Sequence, residues 1–311
     1  MNNRILGLHH ITAIAGNAQR NYNFYTQVLG LRLVKKTVNF DDPGTYHFYY
    51  GNETGSPGTI LTFFPWERIK SGHTGTGMAT EIGYTVPNSS LTFWEQRFQQ
   101  MEVKFERIVE RFGEQLLPFL DPDGLKLNLV ISRETDNRQG RESKDVKKDA
   151  AIKGFHHITI TLKNITATAT ILSDIFGYHF LSQEGSRHRF ITDALETANV
   201  VDLVEARDEK IGLVAGGTNH HVAFRVKDES ILMQFHDKVA ATGLQITSKI
   251  DRNYFFSLYF REPGGVLFEI ATDNPGFAID EPIQELGTQL KLPVQYEESR
   301  KRIEDSLPVI N

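Results

Sequence analysis

The chain has 311 residues, 40% of them hydrophobic and 23% charged, with a formal net charge of -5. This ordinary globular composition excludes wholesale disorder and a coiled-coil rod, and the length predicts two domains with cores of their own. The mildly acidic balance gives no footprint for phosphate backbones or anionic membranes, and the lack of cysteine excludes disulfides, thiolate metal sites, iron–sulfur clusters and cysteine nucleophiles together. No apolar run reaches the ~18–20 residues of a membrane span, and residues 1–8 carry no charged-then-apolar leader. The expectation is a cytoplasmic protein with a small-molecule partner, in which histidines and carboxylates hold any metal.

In chain order the predicted elements repeat. Leu8-His9-His10-Ile11-Thr12 reads as a strand, Ala18 to Leu29 as a helix stopped by Gly30, and Leu31 to Val38 as a strand. A second unit without histidines opens at Glu81-Ile82-Gly83-Tyr84-Thr85-Val86, runs into a helix from Leu91 to Met101 and closes on the strand at Gly124 to Val130. The charged stretch from Arg133 to Lys153 reads as a linker. The third unit has Phe155-His156-His157-Ile158-Thr159, a helix from Ala167 to Phe176, Gly177 and a strand from Tyr178 to Ser182. The fourth has Asn219-His220-His221-Val222-Ala223-Phe224, a helix from Glu229 to Thr242, Gly243, a strand from Leu244 to Ser248 and a closing strand, Gly265 to Ala271. Each unit is a strand, a helix and several antiparallel strands. The sequence therefore predicts an α+β fold of four units paired into two domains, 1–135 and 154–275, joined by the linker 136–153. The tail, 276–311, is expected to carry a short charged helix near Glu297 to Asp305.

Strand side chains alternate between faces, which sorts the histidines. His220, Val222, Phe224 and Val226 share an apolar face; Asn219, His221, Ala223 and Arg225 share the polar one. In the same way His157 opposes His156, and His10 and Thr12 point to the polar side. On the closing strand Glu269 lies between Phe268 and Ile270, where a carboxylate is costly unless paired or bound to a metal. His10, His221 and Glu269 are thus candidates for one concave surface. Two imidazoles and one carboxylate form the facial triad of non-haem Fe(II) oxygenases, with positions open for O2 and substrate.

With these segments, and with Gly185-Ser186-Arg187-His188-Arg189 and Tyr259-Phe260-Arg261-Glu262-Pro263-Gly264-Gly265, the chain resembles the vicinal-oxygen-chelate superfamily of glyoxalases and extradiol dioxygenases. It resembles most the ring-cleaving dioxygenases of the hydroquinone type. The resemblance implies βαβββ units, two curled glyoxalase-like domains, and metal ligands His10, His221 and Glu269. It also implies Tyr259 and His220 as catalytic residues and Thr12, Arg252 and His9 as substrate contacts. Alternation conflicts with it in part, since His9 and His220 fall on the helix-facing side unless a bulge turns them. An odd-length turn near Gly264 would set Tyr259 opposite Glu269.

The implied activity is insertion of O2, the co-substrate, into a hydroquinone or catechol, with Fe(II) or else Mn(II) as cofactor. The alternatives are a glyoxalase-type isomerase or thiol transferase, and a metal-free aromatic- or drug-binding protein of the same fold. An isomerase usually has a second acidic ligand, and the position for it falls near Thr62 or Phe63. Glu81, Asn128 and His157 outline a twin cavity in the second and third units, read as a degenerate, structural half. A homo-oligomer stays open.

Overall fold

The computed structural model describes residues 4–311. Its units are β1 (Leu8–Ala15), α1 (Ala18–Asn23), β2 (Arg32–Val38), β3 (Tyr46–Gly51) and β4 (Ile60–Pro65); then β5 (Met78–Thr85), α2 (Leu91–Gln100), β6 (Val109–Arg111), β7 (Glu114–Leu120) and β8 (Lys126–Ile131). The third has β9 (Gly154–Leu162), α3 (Thr166–Thr170), β10 (His179–Glu184), β11 (Arg187–Ile191) and β12 (Val200–Glu205). The fourth has β13 (Thr218–Val226), α4 (Glu229–Ala240), β14 (Ile250–Asp251), β15 (Phe255–Arg261) and β16 (Leu267–Pro275), and α5 (Arg300–Ser306) lies in the tail.

The strands form two mixed sheets of eight. One runs β14-β15-β16-β13-β1-β4-β3-β2, the other β10-β11-β12-β9-β5-β8-β7-β6. Unit one therefore shares a sheet with unit four, and unit two with unit three. This corrects the expected grouping on either side of the linker. The pairing follows the opening strands: β1 pairs antiparallel with β13, and β5 with β9. The linker is no loose tether either. Val146, Ala150, Ala151 and Ile152 are buried, Trp94 donates its indole N–H to Ala150 O, and Arg138 donates to the carbonyls of Gly58 and Phe155.

The helices form where the periodicity places them. Asn17 caps α1 by accepting from Arg20 N, and Asp228 caps α4 by accepting from Ile231 N. The first and third helices finish as π-helical turns, Phe24–Val28 and Ile171–Ile175, before Gly30 and Gly177 stop them in the left-handed region. The strand expected from Leu244 to Ser248 is reduced to one bridge, Ile246 to Phe260, and the edge strand forms later as β14. In the tail the expected helix is 3-10 over Val294–Ser299 and α-helical only from Arg300. The tail also covers the β2 edge, with Lys291 N donating to Lys36 O, and pairs the buried Lys35 with Asp280 and Glu281. No helix among the described residues is long and apolar enough to cross a membrane.

Candidate metal centre

The register explains the double histidines. On β13, His221 faces Thr12 and Asn219 faces Ala13, so His220 is an extra, unpaired residue. His9 is the extra residue between Leu8 and His10 on β1, and His156 plays the same part on β9. Each doublet is a β-bulge, which suspends alternation and brings two neighbouring side chains to one side. The rings then touch through Nδ1: His9 to His10 at 2.9 Å, His220 to His221 at 2.8 Å and His156 to His157 at 2.9 Å.

These contacts fix proton positions. His9 Nε2 lies 3.0 Å from the carbonyl of Thr272, which can only accept, so Nε2 carries the proton. His9 Nδ1 then accepts from His10 Nδ1–H, and His10 Nε2 keeps a bare lone pair. That lone pair lies 3.1 Å from Glu269 Oε2, and His221 Nε2 lies 3.0 Å from the same oxygen. Neither contact has hydrogen-bond geometry, and both oxygens of the fully buried Glu269 lack a hydrogen-bond partner. Burial alone would push this carboxyl up, yet the two imidazoles hold it well below the usual carboxylate range. Two oriented imidazoles and a bare, buried carboxylate converge within 4.8 Å, the only such cluster of His, Asp and Glu among the described residues. This donor set fits a divalent first-row metal, and the outer histidines supply the orienting contacts such ligands need.

The sheet sets the rest of the site around this trio. Ala223 faces Glu269 across β13 and β16, and Thr12 faces Thr62 across β1 and β4. Thr62 therefore occupies, by the internal two-fold, the place of Glu269, so no second carboxylate stands there. Tyr259 faces Glu269 across β15 and β16, as the odd-length turn requires. Arg252 Nε donates to Tyr259 Oη at 3.2 Å. Tyr259 is half-buried, and its phenol is pushed above the ordinary value, first by desolvation and then by Glu269.

A cavity of about 420 Å³ opens over the trio, lined by His10, His221, Thr12, His220, Arg252 and Tyr259 among others. The sequence-derived candidates thus come together there, except His9. That residue stays buried behind His10 and does not line the cavity, which corrects its expected substrate contact. His220 reaches the cavity because of its bulge. Burial, then the neighbouring His221, lowers its pKa to about 4, so it is neutral near pH 7.

Sequence reasoning missed the far wall. His47 and Tyr49 on β3, Phe64 on β4 and Trp66 just beyond it also line the cavity. Tyr49 faces Thr62 as Tyr259 faces Glu269, so the two-fold gives each flank a tyrosine. The signal was present in Tyr46-His47-Phe48-Tyr49-Tyr50, where alternation puts His47 and Tyr49 on one face.

The twin sheet carries the same register with other residues. Glu81 stands for His10, His157 for His221 and Asp202 for Glu269, while Asn128 stands for Thr62. Asp202 was missed, and Asn128, which faces Gly83 across β5 and β8 as Glu269 faces Ala223 across β13 and β16, also keeps the Glu269 register on the closing strand of its own unit. Arg189, at the place of Tyr259, makes two hydrogen bonds to Asp202, at 2.8 and 3.0 Å. Arg111 and Arg187 pair with Glu81 at 2.7 and 3.4 Å. His157 Nε2 is buried without a hydrogen-bond partner.

Fold and trio together define a glyoxalase-type chain with a candidate metal site. The model of the glyoxalase/bleomycin resistance protein/dioxygenase superfamily matches residues 7–129 and 154–270, and the chain belongs to that superfamily. It is 46% identical over 99% of its length to "Putative ring-cleaving dioxygenase MhqO" of Bacillus subtilis (strain 168), covering 97% of that protein. It is 34% identical to the chlorohydroquinone/hydroquinone 1,2-dioxygenase of Sphingobium indicum, over 94% of this chain and 93% of that one. A crystal structure of a putative dioxygenase from Bacillus subtilis superposes with a TM-score of 0.95 at 45% identity, covering 99% of this chain and 98% of that chain.

Proposed function

We propose that the chain is a ring-cleaving dioxygenase that uses Fe(II), with Mn(II) as the alternative ion, to insert both atoms of O2 into a hydroquinone or catechol. The observation that carries this reading is the trio His10, His221 and Glu269 beneath an aromatic-walled cavity with only three protein ligands. When bound there, a divalent iron ion acidifies a coordinated phenol and couples the ring's electrons to O2.

The chain's own residues do the rest. Arg252 directs its guanidinium at the Tyr259 oxygen, so the phenolic proton of Tyr259 is free to be donated to an oxygen in the cavity. His221 Nδ1–H donates to His220 Nδ1, leaving His220 with its proton on Nε2. His220 therefore acts as a hydrogen-bond donor to the ring oxygen rather than as a base. Phe64 and Trp66 pack in a tilted arrangement, 5.3 Å apart between ring centroids, and give the ring an apolar wall. Thr62 at the place of a second acidic ligand leaves no second carboxylate to shuttle a proton between substrate carbons, which speaks against a glyoxalase-type isomerase.

The test is O2 uptake by anaerobically purified, Fe(II)-loaded protein on adding 2-methylhydroquinone, with catechol in parallel. The expected result is consumption near one O2 per ring with loss of the aromatic absorbance. No uptake at one bound metal per chain would favour an isomerase or transferase, and no bound metal a binding protein.

A further inference from the structure

The flank opposite Tyr259 carries an unbroken hydrogen-bond chain. Tyr49 Oη lies 2.9 Å from His47 Nδ1, His47 Nε2 lies 2.9 Å from Thr62 Oγ1, and Thr62 Oγ1 lies 2.8 Å from Thr12 Oγ1. Its direction follows from its buried end. Tyr49 is 2% exposed, and burial keeps its phenol protonated. Its hydroxyl donates to His47 Nδ1, so the neutral ring carries its proton on Nε2 and donates to Thr62. The Thr62 hydroxyl then donates to Thr12, whose own proton is left to point into the cavity. The histidine ring is held for this, between Tyr49 and Phe64 at centroid distances of 4.1 and 4.3 Å.

We propose that His47 is a positioning residue that, through Thr62, makes the Thr12 hydroxyl a hydrogen-bond donor to the ionised ring oxygen on the side of the site facing away from Glu269. The inference rests on the ring-cleaving reading and adds to it a residue outside the doublets. An ionised phenolic oxygen accepts and never donates, so a wall that presents only donors selects that form of the substrate. Without His47, Thr62 is free to accept from Thr12, and the donor turns away from the ring.

Two measurements test this. In the ¹⁵N-histidine-labelled, metal-free protein, long-range ¹H–¹⁵N correlation should show one ring, assigned by its loss in His47→Phe, protonated at Nε2. In the Fe(II)-loaded protein under argon, calorimetric titration with 2-methylhydroquinone should show roughly ten- to hundredfold weaker binding for His47→Phe and for Thr62→Val, the loss of one charge-assisted hydrogen bond. Iron content should stay at the wild-type level, the His47→Phe/Thr62→Val double variant should be no worse than the weaker single one, and His47→Gln should recover most of the affinity. A ring protonated at Nδ1, unchanged binding, or additive losses would overturn the role of His47 while leaving ring cleavage intact. Iron-loaded wild-type protein that does not bind 2-methylhydroquinone would overturn both readings.

Discussion

The two sheets are built to one register and end as opposites. In the sheet of units one and four, the residue facing the strand carboxylate is Tyr259, and Glu269 remains bare. In the sheet of units two and three, that residue is Arg189, which grips Asp202 through two nitrogens and reaches Glu114 as well. A neutral side chain leaves the charge available for a metal; a guanidinium spends it on an internal ion pair. His157 keeps its lone pair in the twin, but the cations there are arginines. Gly83, at the place of Thr12, leaves room for His157, since a Cβ there would meet the ring at 2.4 Å. The difference between a candidate metal site and an internal ion-pair cluster thus comes down to a few positions on equivalent strands.

The largest expected effect breaks the comparison outright. Glu269→Ala should take bound iron from near one per chain to near zero and abolish O2 uptake, whereas Asp202→Ala should leave both unchanged. A fully loaded and active Glu269→Ala protein would refute the assignment. The Asp202 substitution should instead cost about 3–5 kcal/mol in urea unfolding, because it strips a buried arginine of its bidentate partner.

The twin should also govern acid stability. Burial would raise the Glu114 pKa, but His156 and Arg189 bring it to about 2, against an ordinary value of 4.5. A depressed carboxyl stabilises the fold fully above pH 4.5, and that stability is lost as pH falls from about 4.5 towards 2. The loss should be about 3 kcal/mol, and it should disappear from the pH dependence of Glu114→Gln unfolding. The smallest effect is the sharpest. Tyr259→Arg copies the twin into the metal sheet and should weaken Fe(II) binding by roughly ten- to hundredfold, measured by competition with a chelator. Undiminished iron affinity would show that the facing residue is not what separates the sheets.

Much of this was legible in the sequence. Alternation put His10, His221 and Glu269 each on the polar face of its own strand and so made them candidates for one surface, and the resemblance implied them together as ligands. His9 and His220 were ambiguous because a bulge breaks the period on which alternation rests, and the doublet itself marks the bulge. His47 and Asp202 were missed because neither lies in a repeated motif. His47 shares a strand face with Tyr49 in the local alternation, whereas Asp202 becomes visible only when units are compared strand by strand. Which unit pairs with which was not legible in the strand pattern, since backbone pairing between β1 and β13 leaves no local signature, although the implied ligand set already joined units one and four. The stretch Leu244 to Ser248 keeps only one bridge, although its local pattern matches that of the edge strands β2 and β10, which form.

The pairing of first unit with last has a consequence for synthesis. β1 leaves the ribosome with His10 in place, but its neighbour β13 and the strand that carries Glu269 are among the last made. The twin sheet, drawn from the middle of the chain, has all its strands earlier and can close first. A nascent chain that stops short of β16 can then fold its inert half completely and still hold no metal. Assembly of the trio in this sense reports a chain that has been made through β16.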